Sequence, residues 1–89
     1  HALIVGAGGA ARAATFALLG RGVTVSIAAR RREEAARLAA SLGVNAVAWP
    51  PSGRWDLLVN TTPCGTWPAV DDAPVVLGGD LAATVVYDL

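Results

Sequence analysis

The chain contains no lysine. All seven of its basic residues are arginine, and seven acids balance them to a formal net charge of zero. Without a basic excess there is no electrostatic footprint for nucleic acid or an anionic membrane surface, so neither is an expected partner. Cysteine is nearly missing too. The lone Cys64 has no mate for an internal disulfide, and with the single His1 it gives no metal-ligand spacing, so no metal site is expected. A reducing, cytoplasmic setting fits. No histidine lies near Cys64 in sequence, which makes it an inert loop thiol rather than a nucleophile. No apolar run reaches the roughly 18–20 residues of a membrane span. Aromatic residues are few, and Trp49, Trp55 and Trp67 are expected to pack loops or to cover a domain face.

What the chain does have is small and apolar. Its 89 residues are 54% hydrophobic, above the usual share for a domain exposed to water on all sides. That composition fits an alanine-rich α/β protein, or one with apolar surface meant for a missing partner domain. A chain this short buries only roughly 60–65% of its unfolded surface, so it makes one domain or part of one. It starts at His1 and stops directly after an apolar run. Both ends are expected to continue into a longer polypeptide.

The organising stretch is residues 2–12. Ala2, Leu3, Ile4 and Val5 run straight into Gly6-x-Gly8-x-x-Ala11, and a helix-forming segment follows. This is a buried strand, a tight glycine turn and a helix N-terminus in succession. Gly6 serves the turn, Gly8 lets a pyrophosphate approach the backbone, and Ala11 lets helix and strand pack closely. The first helix is expected over residues 9–19, with Ala10, Ala13, Ala14, Ala17 and Leu18 as its buried stripe. Phe16 and Leu19 lie off that stripe, toward another helix or domain.

Val23, Val25 and Ile27 alternate with Thr24, Ser26 and Ala28 as a second strand. A second helix takes residues 32–42, burying Ala35, Leu38, Ala39 and Leu42, with Gly43 beyond its end and Glu33 and Glu34 at its favourable N-terminus. Residues 44–48 read as a short third strand and residues 49–53 as a loop too brief for a crossover helix. Leu57, Leu58 and Val59 form a central strand over residues 56–60, followed by a polar loop. Residues 73–80 are a short strand or turn, and residues 83–87 are a last strand ending at Asp88. Strand–helix alternation with short connections predicts a Rossmann-type, doubly wound parallel sheet in three αβα layers.

Ligands in such sheets bind outside the carboxyl ends of the strands. That rule selects Gly6, Ala7, Gly8, Gly9 and Ala10 after the first strand and Arg30, Arg31 and Arg32 after the second. It also selects Asn60, Thr61 and Thr62 after the central strand. An NAD site places Asp or Glu about twenty residues beyond the glycines, against the ribose 2′-hydroxyl. Ala29 stands there instead, followed by three arginines whose planar forks suit a 2′-phosphate. The expected cofactor is NADP. Arg12 is taken as a solvated helix residue. No residue of the chain is assigned as catalytic.

With these stretches placed, the chain resembles the NADP-binding domain of the shikimate dehydrogenase family over nearly its whole length. Leu3-Ile4-Val5-Gly6-Ala7-Gly8-Gly9-Ala10-Ala11-Arg12-Ala13 is similar to that family's glycine-rich segment. Val59-Asn60-Thr61-Thr62-Pro63-Cys64-Gly65-Thr66 is similar to its Asn-Ala/Thr-Thr-Pro-x-Gly-Met signature, with Thr66 in place of Met. Tyr87-Asp88-Leu89 is similar to the opening of its Tyr-Asp-Leu-Val-Tyr segment. The family's 2′-phosphate motif, Asn-Arg-Thr-x-x-Arg, falls on residues 29–34, where only Arg30 matches and the clamp must be rebuilt from Arg31 or Arg32. The resemblance implies NADPH-dependent reduction of 3-dehydroshikimate to shikimate, with Leu89 beside the nicotinamide. The catalytic Lys and Asp would belong to a substrate domain absent from this chain. The implied partners are a small-molecule substrate, held through that domain, and a second copy of the protein. Rival readings are a cofactor domain of a quinate-using relative, of glutamyl-tRNA reductase or of methylene-tetrahydrofolate dehydrogenase, and a non-enzymatic dinucleotide sensor.

Overall fold

Two strands buried along their whole length form the centre of the fold: β1 (Ala2–Val5) and β2 (Val25–Ala28). Continuous apolar runs of this kind suit strands covered on both faces. The computed structural model describes residues 1–62, 75–78 and 81–88. It adds α1 (Gly9–Leu19), α2 (Arg32–Leu42), β3 (Asn45–Ala46), β4 (Gly53–Asn60), β5 (Val75–Gly78) and β6 (Leu81–Asp88). The sheet order is β3-β2-β1-β4-β6-β5. All neighbours are parallel except β5, which runs antiparallel to β6 at the edge. The chain winds outward from β1 through β2 to β3, then returns to lay β4 and β6 on the other side of β1. That reversal is the doubly wound, Rossmann-type arrangement, and it puts the switch point between β1 and β4.

Both helices pack on one face, over Ile4, Val25, Ile27 and Val59. The opposite face, with Leu3, Val5, Leu58, Leu81 and Ala83, is met by Val47, Trp49 and Trp55. Trp49, in the loop before β4, packs against this face of the sheet, and Trp55, within β4, packs there too while its indole N–H donates to Ser52 O at 2.9 Å. The second helical layer of a three-layer sandwich is not among the described residues. Trp67 and Cys64 also lie outside them.

Several boundaries shift for physical reasons. β4 begins at Gly53 rather than at residue 56, because Gly53 and Arg54 pair with Leu81 and Ala82 of β6. The same pairing lengthens β6 to residues 81–88. The strand expected at residues 44–48 keeps only two residues in the ladder. Within the ambiguous stretch at residues 73–80, β5 pairs with β6 through a register shift between Val76 and Gly78. Helix α2 buries Ala35, Leu38 and Ala39 and ends on Gly43 in the left-handed conformation, with Leu42 partly buried.

Helix α1 is rotated from the expected stripe. Its buried residues are Ala11 and Thr15, with Ala14, Leu18 and Leu19 packed beside the core, while Ala10, Ala13 and Ala17 are exposed. Alanine surrounds this helix, so its spacing does not single out a face, and polar Thr15 interrupts the true one. Ala10, Ala13 and Ala17 instead border an open apolar groove with Leu57, Val59 and Tyr87. Leu19 turns inward rather than away, whereas Phe16 is 72% exposed.

The Thr15 hydroxyl is fully buried and has no hydrogen-bond partner among the described residues. An unmet buried hydroxyl costs on the order of 1–3 kcal/mol. Thr15→Val, which keeps the shape and removes the hydroxyl, is expected to stabilise the fold by about 1 kcal/mol. Chemical denaturation checks this through an upward shift of the midpoint at unchanged slope.

Candidate functional site

The carboxyl ends of β1 and β4 lie side by side, with Val5 in register with Asn60. Just beyond them the chain is stitched together twice at one acceptor. The backbone N–H of Thr61 donates to Val5 O at 2.9 Å, and the Thr61 hydroxyl donates to the same oxygen at 2.8 Å. On the other side, Gly6 N–H donates to Ala28 O of β2 at 2.8 Å. Gly6 is held at φ +120°, and a Cβ there would overlap the Thr61 hydroxyl oxygen. Backbone conformation and close packing each require glycine at this point.

Gly8 and Gly9 differ. Neither has a positive φ, and a Cβ on either would meet nothing within 4 Å among the described residues. Neither the backbone angles nor any described neighbour requires glycine there. A ligand that must approach the backbone does. Gly8 is the extended N-cap of α1, with no side-chain cap and no acid in the first turn. The first-turn N–H groups of Gly9 and Ala10 are therefore exposed at the positive end of the helix dipole. Ala7, half-buried, closes the turn behind them. Shape and electrostatics together suit a diphosphate on the Gly8, Gly9 and Ala10 backbone.

At the tip of β2, Ala29 is buried and the three arginines that follow are exposed. They do not act alike. Arg32 donates to Trp49 O at 3.1 Å and is drawn toward the loop before β4. Arg31, the N-cap of α2, donates to a Glu34 carboxylate oxygen at 3.3 Å. Arg30 makes no side-chain hydrogen bond among the described residues. Between the glycine turn and α2 runs an open groove of about 670 Å³, bordered by Gly8, Gly9, Arg12, Glu34, Arg37 and Ser41. Arg12, read from sequence as a solvated helix residue, reaches across it to the Ser41 hydroxyl at 3.4 Å. Glu34, Arg37 and Ser41 escaped sequence reasoning as site residues, although their spacing puts them on one helical face.

Asn60 is fully buried and its amide is used within the protein. Its Nδ2 donates to an Asp88 carboxylate oxygen at 3.1 Å. Its Oδ1 accepts from the Thr62 backbone N–H at 3.1 Å and from the Thr62 hydroxyl at 2.7 Å. Asn60 thus ties the end of β4 to the end of β6 and folds the following turn, while Thr61 locks that turn to β1. These residues shape one wall of the crevice. Leu89, expected beside the same wall, lies outside the described residues.

No protein-family model matches the chain. Curated relatives do. Over 98% of its length it is 38% identical to the shikimate dehydrogenase (NADP(+)) of Shouchella clausii, covering 34% of that protein. Over 97% of its length it is 43% identical to the same-named protein of an Anaeromyxobacter species, covering 36% of it. The chain spans about a third of the length of these relatives. A crystal structure of shikimate 5-dehydrogenase from Thermus thermophilus, in complex with NADP(H) and shikimate, superposes on 68% of the chain and 23% of its own length. The TM-score is 0.59 and the identity 38%.

The two kinds of glycine predict two kinds of mutant. Gly6→Ala is expected to cost about 3 kcal/mol or more, through a forbidden φ and a clash with Thr61. Gly8→Ala is expected to cost about 1 kcal/mol or less, as an N-cap change facing open space. Parallel urea denaturation of the two variants checks the contrast.

Proposed function

This chain belongs to the shikimate dehydrogenase family, and we propose that it is the NADP(H)-binding half of an oxidoreductase of that kind. In this reading the full-length polypeptide carries out the reversible reduction of 3-dehydroshikimate to shikimate. The observation that carries it is the pair Gly8 and Gly9, glycines that neither their backbone angles nor any described neighbour requires, at a helix N-terminus without a side-chain cap. The names of the relatives support the choice of NADP(H), and so does the tip of β2, with arginines and no carboxylate at Ala29.

When bound, NADPH supplies the hydride. The chain's own residues bind and orient. The N–H groups around Gly8, Gly9 and Ala10 hold the pyrophosphate, with Gly6 and Ala7 forming the turn that aims them. Arg30 and Arg31 hold the 2′-phosphate, which a guanidinium can grip bidentately. Arg32 stays with Trp49 O and steadies the loop beside them. Asn60, Thr61 and Thr62 brace the nicotinamide side, and Leu89 is assigned next to it.

Hydride transfer to a carbonyl also needs a proton donor and a substrate cradle. The chain assigns neither, so both are placed in a substrate domain formed by the remainder of the polypeptide. A cytoplasmic location goes with this reading, supported by the single cysteine.

Replacing Arg30 and Arg31 together by Ala in the full-length enzyme is expected to raise the KM for NADPH by at least about tenfold. Loss of charged hydrogen bonds worth roughly 1.5–3 kcal/mol sets that scale. The KM for NADH should move little. Steady-state kinetics with the two cofactors checks the assignment, and unchanged NADPH kinetics would sink it.

A further inference from the structure

The turn after β4 has two tethers of different kinds. Thr61 is fastened to a backbone oxygen, Val5 O, which no substitution removes. Thr62 is held through the Asn60 side chain, and Asn60 in turn by Asp88, 28 positions further along the chain. Asn60 and Asp88 are register partners on β4 and β6, so their bond crosses directly between neighbouring strands at the carboxyl edge of the sheet.

Donor and acceptor chemistry fixes the direction of every bond in this second tether. A carboxylate only accepts, so the Asn60 amide turns its Nδ2 toward Asp88. A backbone N–H only donates, so Oδ1 faces Thr62. The Thr62 hydroxyl then has to donate to Oδ1 as well, at 2.7 Å. Asn60 is fully buried, whereas Asp88 is exposed. Without the carboxylate, a buried N–H₂ group loses its acceptor, which is unfavourable enough to turn the amide away and loosen its hold on Thr62.

We propose that Asp88 is a positioning residue for the reaction, orienting Thr62 at the nicotinamide side of the crevice through the Asn60 amide. The inference rests on the reading under Proposed function, in which residues 60–62 brace that side. The phosphate contacts assigned there, to residues 8–10 and to Arg30 and Arg31, are joined to Asp88 by no hydrogen bond among the described residues. Loss of Asp88 therefore leaves the grip on the phosphates in place and disturbs the alignment of the nicotinamide for hydride transfer.

Steady-state kinetics of the full-length enzyme tests this in wild type, Asp88→Ala, Asp88→Asn, Thr62→Val and the Asp88→Ala/Thr62→Val double variant. The kcat is referred to the concentration of NADP⁺-binding sites found by calorimetric titration, so that unfolded protein does not count. Asp88→Ala is expected to lower kcat about tenfold while the KM for NADPH moves less than about twofold. Asp88→Asn keeps a neutral, weaker acceptor for Asn60 Nδ2, which should limit the fall in kcat to about threefold. Thr62→Val should lower kcat by itself, and the double variant should be no slower than the slower single variant, since both break one chain of bonds. An unchanged kcat in Asp88→Ala, kcat and KM shifting by the same factor, or full additivity in the double variant overturns the role of Asp88. Wild-type enzyme that neither binds NADP⁺ nor reduces it with shikimate overturns the proposed function itself.

Discussion

The structure depends on the contact between Thr61 and Val5. Two hydrogen bonds to one carbonyl oxygen draw the end of β4 across the end of β1, at the point where the sheet reverses its winding. The hydroxyl that makes the second bond fills the space a side chain would need at Gly6. The glycine turn is therefore shaped by a residue far downstream in the chain as well as by its own backbone preference. Once Gly6 is fixed, Gly8 can cap α1, and the first-turn N–H groups open onto the crevice. Asn60 extends the same arrangement by fastening β4 to β6 through Asp88.

Around that frame the charges have separate tasks. Arg12 and Ser41 bridge the two helices across the groove. Arg32 anchors the approach to β4, and Arg31 is matched to Glu34. This leaves Arg30 as the arginine of the cluster with no side-chain hydrogen bond among the described residues. Three adjacent cations at a helix start oppose its dipole. Pairing Arg32 with a loop carbonyl and Arg31 with a carboxylate relieves part of that opposition, and Arg30 stays exposed.

Much of the fold is legible in the sequence because its signals are local. The run Leu3-Ile4-Val5 reads as a buried strand, and Gly6, Gly43 and the acids at Glu33 and Glu34 mark turns and helix ends. Helix α1 departs from its spacing because alanines surround it. Its buried face is chosen by Ala11 and by Thr15, a polar residue that hydrophobic spacing passes over. β4 and β6 run longer than expected because partners in the ladder, not propensity, set their ends. At the site, the positions after each strand follow from the topology. What the sequence does not carry is which side chains are occupied within the chain. Asn60 offers the same amide whether it faces a ligand or Asp88, and Glu34 offers the same carboxylate to a helix dipole or to Arg31. The resemblance of residues 59–66 to a family signature pointed to the family, and the fold then supplied the reason for Thr61 in it.

The central claim is that the Gly6–Thr61 frame presents the α1 N-terminus to the phosphates of NADP(H). Site-resolved amide hydrogen exchange on the full-length protein, with and without NADP⁺, tests it most directly. The account predicts strong added protection at the N–H groups of Gly8, Gly9 and Ala10, accompanied by protection at the start of α2. Binding of NADP⁺ that leaves those amides exchanging at their free rates would contradict it.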